Sequence, residues 1–297
     1  LEITIPGSKS LTNRAIVMAS LSNGISKINN ISNSLDSNIM IKAMKKLGIN
    51  IKVSKNELLI TGNGGVFPRF NGTINVDNAG TVARFLTALT ALVPGKVTII
   101  KSERMEERPM QELVNALKEI KLGKVSIKGN ISSQIISSLL MIAPVLEKGL
   151  TLKIKDKLVS KSYVDMTINL MEKFGVKIEK KDHQFIIKRQ SYKKTNYFVE
   201  SDLSSASYFF ATAAVTRKSI KVKNINLDST QGDLKFPNLL KKMGCQVIEN
   251  IKEKSIEVKG MSILRGINID MTNMPDTAQT LAVVAAFAKG KTKITGL

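Results

Sequence analysis

A repeated pair of helices constrains the fold of this chain more than any other feature. Five stretches begin with small or polar residues and continue as helices that are apolar on most sides, as helices inside a domain are. These stretches are SKSLTNRAIVMASL, NAGTVARFLTALTALV, SSQIISSLLMIAPVL, SSASYFFATAAV and PDTAQTLAVVAAFA. An amphipathic helix with a lysine-rich face follows four of the five, and we expect that face to meet solvent.

Paired strands complete the repeat. Three of the amphipathic helices are followed by a glycine (Gly48, Gly175 and Gly244), the residue type most common just after a helix. Two strands joined by a polar turn are then predicted, in INIKVSKNELLITG, VKIEKKDHQFIIKR and CQVIENIKEKSIEVKG. The composite is a βαβαββ repeat, and three such repeats can enclose a small domain with apolar helices inside and sheets outside. The five repeats of this α/β chain therefore predict two domains.

Two of the repeats are incomplete. In the second, the helix that ends in ALKEI runs directly into KLGKVSIKGN, so the hairpin is missing near residues 120–121. The fifth stops at ITGL before any amphipathic helix. Either the protein is a trimmed variant, or residues are missing from the sequence. We favour the second explanation, because an interior helix without its partner would leave apolar surface exposed.

Length and composition exclude several classes of protein. With 297 residues and 43% apolar content the chain can form two real cores. Apolar runs such as AVVAAFA are far shorter than a bilayer span and no charged-then-apolar leader is seen, so we expect a cytoplasmic protein. The single cysteine, Cys245, excludes a disulfide framework, and is interpreted as a small core residue. His183 lies in a polar turn, so catalysis by a nucleophile and histidine pair is not expected.

The charge raises the question of a nucleic-acid partner. The formal net charge is +21, and clustered cations neutralise phosphates. The lysines are nevertheless spread over nearly every surface element, and no basic strand carries interleaved aromatic residues that would stack on bases. We therefore expect no nucleic-acid partner. The eight arginines are more informative than the 37 lysines, because four of them, Arg14, Arg84, Arg104 and Arg108, lie in polar motifs where a rigid bidentate donor is useful.

Seven ordered stretches resemble the 5-enolpyruvylshikimate-3-phosphate synthase family over essentially the whole chain. They are PGSKSLTNRA, DNAGTVARFLTAL, ERMEERPMQELVNAL, SSQIISSLLMIAPV, LVSKSYVDMTINLMEKFGV, VESDLSSASYFF and DMTNMPDTAQTLAVVAAFA. The resemblance implies the enolpyruvyl transferase fold, a two-domain inside-out α/β barrel of βαβαββ repeats, here with its last repeats incomplete. One domain would comprise residues 9–198 and the other residues 1–8 with 199–297, with the active site in the cleft between them.

The reaction implied by the resemblance is transfer of the enolpyruvyl group of phosphoenolpyruvate to the 5-hydroxyl of shikimate 3-phosphate, with release of phosphate. This is a step of aromatic amino-acid biosynthesis in the shikimate pathway. It needs no cofactor and no metal, and we expect a monomer without a membrane partner. Two alternatives remain open: the sister enzyme that acts on UDP-N-acetylglucosamine, which uses a loop cysteine unlike Cys245, and a non-catalytic fragment that binds shikimate 3-phosphate.

Several residues of the first two motifs take roles from the resemblance. Lys9 would contact phosphoenolpyruvate and take part in proton transfer, while Ser10 and Arg14 would hold shikimate 3-phosphate, with Arg14 on its carboxylate. Gly80 lets the backbone approach phosphoenolpyruvate, which a Cβ would obstruct. Arg108 resembles the family's phosphoenolpyruvate-binding arginine.

The remaining motifs contribute polar residues to the second substrate. Ser132, Ser133 and Gln134 would cradle the phosphate of shikimate 3-phosphate, and Ser160 and Tyr163 would contact its shikimate moiety. Arg84 and Arg104 stay ambiguous: either one could contact a substrate, or hold a carboxylate such as Glu106 or Glu107.

Asp276 is the candidate acid–base catalyst. Its position after Pro275 alone would equally suit a residue that caps a helix. The resemblance favours a carboxylate that accepts the proton of the 5-hydroxyl as its oxygen attacks C2 of the enolpyruvyl group. Further acidic and basic residues of the family's site lie beyond ITGL, so we expect the sequence as given to be inactive.

Overall fold

Helices and strands alternate along a chain whose computed structural model describes residues 1–297. The α helices are α1 (Lys9–Leu21), α2 (Leu35–Lys46), α3 (Gly80–Leu89), α4 (Glu103–Glu106), α5 (Gln111–Glu119), α6 (Ser133–Ile142), α7 (Lys161–Lys173), α8 (Leu203–Thr216), α9 (Phe236–Lys242) and α10 (Ala278–Ala286). Short 3-10 helices span Thr90–Leu92, Ile120–Leu122, Ala143–Val145, Gly232–Lys235 and Pro275–Thr277.

The strands are short and numerous. They are β1 (Glu2–Thr4), β2 (Ser22–Asn29), β3 (Asn50–Ser54), β4 (Glu57–Asn63), β5 (Phe70–Asp77), β6 (Gly95–Lys101), β7 (Lys124–Ile127), β8 (Leu150–Ile154), β9 (Glu179–Lys181), β10 (Gln184–Ile187), β11 (Tyr192–Lys193), β12 (Asn196–Phe198), β13 (Ser219–Lys223), β14 (Gln246–Asn250), β15 (Ser255–Lys259), β16 (Asn268–Asp270) and β17 (Lys293–Thr295).

Internal contacts divide the chain into two units. The larger unit comprises Lys9–Val159 and Tyr163–Val199, and the smaller unit comprises Leu1–Ser8, Ser160–Ser162 and Glu200–Leu297. The predicted domain of residues 9–198 includes residues 160–162, which here group with the smaller unit, and Val199 groups with the larger one. Within that unit the hydroxyl of Ser162 donates a hydrogen bond of 2.7 Å to the carbonyl of Asn273, which accounts for the grouping.

Three apolar helices form the interior of the larger unit. Every residue of α1 from Leu11 to Leu21 is buried, and α3 and α6 are buried along most of their length. The amphipathic partner α2 instead buries one stripe that includes Met40 and Met44 and exposes lysines. Ser34 caps α2, and Gly48 follows its end with a positive φ of 91°, so the sequence pattern and the local structure agree.

The sheets of the larger unit follow the predicted repeat. The sheet of the first repeat has the strand order β11-β2-β4-β3, with β12 also paired to β2. The sheet of the third repeat has the order β7-β8-β10-β9. The hairpins β3–β4 and β9–β10 confirm two of the predicted strand pairs. The second sheet contains only the parallel strands β5 and β6, and no hairpin follows α5. This sheet therefore lacks the hairpin that the other two sheets contain.

The smaller unit contains one four-stranded sheet and one parallel pair of strands. The larger sheet has the order β1-β13-β15-β14, and β16 pairs with β17. The hairpin β14–β15 confirms the third predicted strand pair. The first strand of the chain lies beside β13 in parallel register, with Glu2 opposite Lys221, so it joins the C-terminal half.

The two apolar helices of the smaller unit are less buried than predicted. Phe210 of α8 lies in the core, but Tyr208 is 52% exposed, and Val283 and Phe287 at α10 are 57% and 61% exposed. The prediction of a mostly interior environment is wrong for these residues. The reason is that α8 packs against α10 and the sheet of this unit on one face, whereas these side chains line a groove on the other.

No helix in the chain has both the length and the apolar character that crossing a membrane would require.

Candidate active site

Three predicted motifs lie at the starts of the three interior helices of the larger unit. Helix α1 begins at Lys9, α3 at Gly80 and α6 at Ser133. The first N–H groups of a helix lack intrahelical partners and carry the positive end of its dipole, so such starts favour anions. Ser132 caps α6 by accepting a hydrogen bond of 3.3 Å from the N–H of Gln134.

Parallel pairing of β5 and β6 explains why Gly80 and Arg108 meet. Strand β5 leads into α3 and strand β6 into α4, and because the strands are parallel their carboxyl ends share one edge. A bond of 2.6 Å from the hydroxyl of Ser102 to the side-chain oxygen of Asn78 ties the two connecting turns together. This bond holds the turn before α3 against the turn before α4.

Two guanidinium groups lie against the backbone of Gly80. A Cβ built at that position would stand 2.8 Å from Nη1 of Arg108 and 3.3 Å from Nη1 of Arg84. No carboxylate is within salt-bridge distance of either arginine. The absence of a side chain at Gly80 therefore leaves room for both cations beside the first turn of α3.

Arg84 is held from inside the larger unit. It is 4% exposed, and its Nη1 donates a hydrogen bond of 2.6 Å to Oε1 of Gln134. Its Nη2 donates to the carbonyl of Pro109 at 3.3 Å, and its buried Nε has no partner. Burial, and then the charge of Arg108, lower the pKa of the Arg84 guanidinium. An anion beside the two arginines would relieve both effects.

The alternative role of these arginines as partners of Glu106 or Glu107 finds no support. The carboxylate of Glu106 pairs with Lys101 at 3.0 Å instead. Arg84 bonds to Gln134 rather than to a carboxylate, and Arg104 is exposed and makes no ion pair. The structure thus places Arg84 beside Gly80 and Arg108 and leaves Arg104 on the surface.

Arg14 lies in the interior beneath these helix starts. It is 1% exposed, and its guanidinium stacks over the ring of Phe85 at 5.2 Å. Its Nε donates to the hydroxyl of Thr167 at 2.7 Å, and its Nη1 donates to the carbonyl of Ser10 at 2.9 Å. Its Nη2 also donates to the hydroxyl of Ser137 at 3.3 Å. In this structure Arg14 therefore ties α1 to α6 and α7, a role that only the tertiary contacts reveal.

Lys9 and Ser10 occupy the first turn of α1. The side chain of Lys9 is 45% exposed, and its Nζ lies 3.4 Å from Oδ2 of Asp36. An exposed pair of this kind contributes at most about 1 kcal/mol. The contact with Asp36 was missed from the sequence, although its place just after the helix cap Ser34 is a usable signal. Ser10 is half-buried, and Arg14 fixes its backbone.

The other expected residues of the larger unit lie at α6 and α7. Ser133 is 7% exposed, whereas Ser132 and Gln134 are half-buried at the start of α6. Tyr163 is half-buried in the first turn of α7, and its carbonyl accepts a hydrogen bond of 2.8 Å from the hydroxyl of Thr167. Hydrogen bonds through Thr167 and Arg14 therefore connect Tyr163 to Ser10.

Ser160 and Asp276 belong to the smaller unit. Ser160 has a positive φ of 49° and is half-buried. Asp276 is exposed within the 3-10 helix Pro275–Thr277, and Thr277, not Asp276, is the N-cap residue of α10. Asp276 therefore does not occupy the N-cap position of α10.

One buried carboxylate of the smaller unit was not found from the sequence. Asp233 is 5% exposed and accepts a hydrogen bond from the hydroxyl of Ser204. It stands in QGD, where a turn residue is the ordinary interpretation, and nothing in the local pattern indicates burial.

The fold is that of known enolpyruvyl transferases. The whole chain superposes on 73% of a solved EPSP synthase from Acinetobacter baumannii, with a TM-score of 0.79 at 20% identity. It also superposes, over 99% of its length, on 74% of the enolpyruvyl transferase NikO from Streptomyces tendae, with a TM-score of 0.75 at 13% identity. These likenesses define the class of fold.

The family follows from the sequence matches. The family model for EPSP synthase (3-phosphoshikimate 1-carboxyvinyltransferase) matches residues 1–121 and 118–297, two segments that meet where the hairpin is missing. The chain is 40% identical to the chloroplastic 3-phosphoshikimate 1-carboxyvinyltransferase of Arabidopsis thaliana, over 98% of this chain and 64% of that protein. It is 39% identical to the enzyme of that name from Marinomonas sp., over 99% of this chain and 75% of that protein. The chain belongs to the EPSP synthase family.

The chain thus spans 64% of the length of the Arabidopsis relative. The alternative of a transferase acting on UDP-N-acetylglucosamine is not favoured, because these curated relatives are named as 3-phosphoshikimate 1-carboxyvinyltransferases.

Proposed function

We propose that this protein transfers the enolpyruvyl group of phosphoenolpyruvate to the 5-hydroxyl of shikimate 3-phosphate and releases phosphate. Membership of the EPSP synthase family supports the reaction. The observation that carries the proposal is the pair of arginines beside Gly80 that lack a carboxylate partner. Each substrate carries a phosphate and a carboxylate, so a site for both must bind four anionic groups.

Phosphoenolpyruvate is assigned to the arginine pair. Arg108 is exposed and can turn its planar fork toward a phosphate or carboxylate, which favours bidentate contact. Arg84 is held by its hydrogen bond to Gln134 and adds a second positive charge from the interior of the larger unit. Gly80 opens the N–H groups of the first turn of α3 to the ligand. Lys9 supplies a further cation that can exchange its weak contact with Asp36 for the substrate.

Shikimate 3-phosphate is assigned to the polar residues at the other helix starts. Ser132, Ser133 and Gln134 would hold its phosphate at the start of α6, where hydroxyl and N–H groups are adjacent. Ser160 and Tyr163 would contact the ring. Ser10 and Arg14 complete the assignment, with Arg14 acting mainly through the position it gives to Ser10.

Asp276 is assigned the acid–base role. Its carboxylate would take the proton of the 5-hydroxyl while the hydroxyl oxygen forms a bond to C2 of phosphoenolpyruvate. In the same step C3 gains a proton from an acid, and Lys9 is the candidate acid in this chain. The tetrahedral intermediate then loses phosphate from C2 and a proton from C3, which restores the double bond. We propose that the enzyme works as a cytoplasmic monomer and needs neither nucleic acid nor membrane.

Calorimetric titration tests this function. Shikimate 3-phosphate is titrated into the protein with and without phosphoenolpyruvate, and phosphate release is measured in parallel. Arg108→Ala should weaken the binding of phosphoenolpyruvate by roughly tenfold to a hundredfold, since a hydrogen bond to a charged group contributes about 1.5–3 kcal/mol. Arg69→Ala, which removes an exposed arginine of the same unit, is the matched control.

The outcomes separate the proposals. Binding of both substrates with phosphate release supports the reaction. Binding of both substrates without turnover supports the substrate assignments alone, and binding of shikimate 3-phosphate but not of phosphoenolpyruvate supports the non-catalytic alternative. Absence of binding of either substrate by the folded protein would refute the assignment.

A further inference from the structure

The guanidinium of Arg84 contacts the side-chain amide of Gln134. Nη1 of Arg84 donates a hydrogen bond of 2.6 Å to Oε1 of Gln134. A guanidinium carries only donors, whereas a side-chain amide carries one acceptor oxygen and one NH₂ group that donates. The oxygen of Gln134 must therefore face Arg84, and the NH₂ group must face away from it.

Arg84 is itself held in place by the backbone. Its Nη1 lies 3.4 Å from the carbonyl oxygen of Gly80, and its Nη2 donates to the carbonyl of Pro109 at 3.3 Å. Acceptors from α3, from the turn before α5 and from α6 thus fix one rigid planar group. Because Arg84 is only 4% exposed, it has almost no surface of its own to offer a ligand.

The NH₂ group of Gln134 is available for a ligand. Gln134 is the second residue of α6 and is half-buried, and its NH₂ group donates to no group of the chain. Its backbone N–H already donates to the hydroxyl of Ser132 at 3.3 Å. The side-chain donor therefore adds to the other N–H groups of a helix start, where an anion accepts hydrogen bonds.

A lysine at position 84 would keep the charge but lose the fork. An ammonium is a compact charge on a flexible stem, so it cannot hold several acceptors in the fixed geometry of a guanidinium. This chain uses lysine for 37 of its 45 basic residues. Arginine at this buried position therefore fits a need for the planar group rather than for charge alone.

We propose that Arg84 is a positioning residue that orients the amide of Gln134, so that only its NH₂ group is offered to the phosphate of shikimate 3-phosphate. The identity of the ligand rests on the proposed function, whereas the orientation of the amide does not. With its oxygen held by Arg84, Gln134 presents a donor to the phosphate and no acceptor that would repel it. Without Arg84 the amide could turn either way, and binding would have to order it.

The two side chains should therefore act as a unit in ligand binding. If Arg84 acts on the phosphate through Gln134, its replacement should matter only while the amide is present. Residues that share a contact have non-additive effects, and a double-mutant cycle measures this coupling.

Calorimetric titration of the full chain with shikimate 3-phosphate measures the cycle. Arg84→Lys and Gln134→Met should each weaken binding by roughly tenfold, the size expected for one hydrogen bond to a charged group. In the Gln134→Met background, which has no amide to orient, Arg84→Lys should weaken binding by less than about twofold. Arg69→Lys replaces an exposed arginine of the same unit and should leave the affinity unchanged. Equal losses from Arg84→Lys in both backgrounds would overturn the inference.

Gln134→Glu separates positioning from stability and remains informative if Arg84→Lys fails to fold. At neutral pH the urea midpoint should be higher in Gln134→Glu than in Gln134→Met, because only the carboxylate gives the buried Arg84 an acceptor. The affinity for shikimate 3-phosphate should rank the other way, because a carboxylate has no donor and repels the phosphate. A purely structural role would put both readouts in the same order, and that result would overturn the inference.

The inference and the proposed function fail in different ways. Absence of shikimate 3-phosphate binding by the folded wild type would refute the proposed function. Urea denaturation then still tests the contact, because the midpoint shift of the double variant should be smaller than the sum of the shifts of Arg84→Lys and Gln134→Met. Additive shifts would overturn the orientation of the amide by Arg84, even in a protein that binds both substrates.

Discussion

Replacing Asp233 by asparagine should make the protein more stable at alkaline pH. The pKa of this carboxyl rises from 3.8 to about 7 on folding, mainly because it is buried. The pKa shift is about three units, and each unit corresponds to about 1.4 kcal/mol. Ionising Asp233 in the folded protein therefore costs about 4 kcal/mol more than ionising it in the unfolded chain. Asparagine has a similar shape and can still accept from Ser204, but it carries no charge.

The sign of the pH dependence follows from the raised pKa. Stability contributed by protonated Asp233 is fully present below the unfolded value of 3.8 and is lost as the pH rises through about 7. The advantage of the asparagine variant should therefore be small near pH 4 and reach its full size of about 4 kcal/mol above pH 7. Between about pH 5 and about pH 8 it should grow by roughly 2 to 3 kcal/mol.

Urea denaturation at these pH values measures the difference. Wild type and Asp233→Asn are compared with Asp228→Asn, which removes the same formal charge from an exposed position. The control should follow the wild type at every pH. A difference between wild type and Asp233→Asn that stays constant from about pH 5 to about pH 8 would refute the burial argument.

Three further substitutions test the site. Gly80→Ala places a Cβ 2.8 Å from Nη1 of Arg108, so phosphoenolpyruvate binding measured by calorimetry should weaken at least tenfold. The free energy of unfolding measured in urea should fall by less than about 1 kcal/mol. Unchanged binding would contradict the assignment of phosphoenolpyruvate to Arg84 and Arg108. Arg14→Leu removes the hydrogen bonds to Thr167, Ser10 and Ser137 and should lower the free energy of unfolding by roughly 1–3 kcal/mol, against almost no change for Arg69→Leu; equal stability of the two variants would refute the structural role of Arg14. Ser132→Ala removes the cap of α6 and should lower the midpoint of thermal unfolding by the equivalent of about 1 kcal/mol, and an equal midpoint would exclude capping.

The interior helices and hairpins of the larger unit could be predicted because their signals are local. An apolar stretch such as that of α1 can lie only in an interior, and the glycines after the amphipathic helices mark where each helix ends. The same signal misled at α8 and α10, where Tyr208 and Phe287 are exposed. Apolar periodicity shows which residues gain from burial, but burial also depends on what else packs nearby.

The candidate site could be predicted in its residue types but not in its contacts. The motifs around Lys9, Gly80 and Ser132 place polar groups at helix starts. The family match extends over both units. The bond from Arg84 to Gln134 joins residues 50 positions apart, and that from Arg14 to Thr167 joins residues 153 positions apart. No local pattern indicates such pairs, because they depend on how the helices pack.

The sequence by itself determined the βαβαββ repeat, the missing hairpin of the second repeat and the polar helix starts, since each depends on propensity and periodicity over a few consecutive residues. Only the tertiary structure decided that Arg14 supports the site from inside, that Arg84 and Arg108 share the space left by Gly80, and that Asp233 is buried. These features are set by desolvation and by charges from distant parts of the chain, and both exist only after the chain has folded.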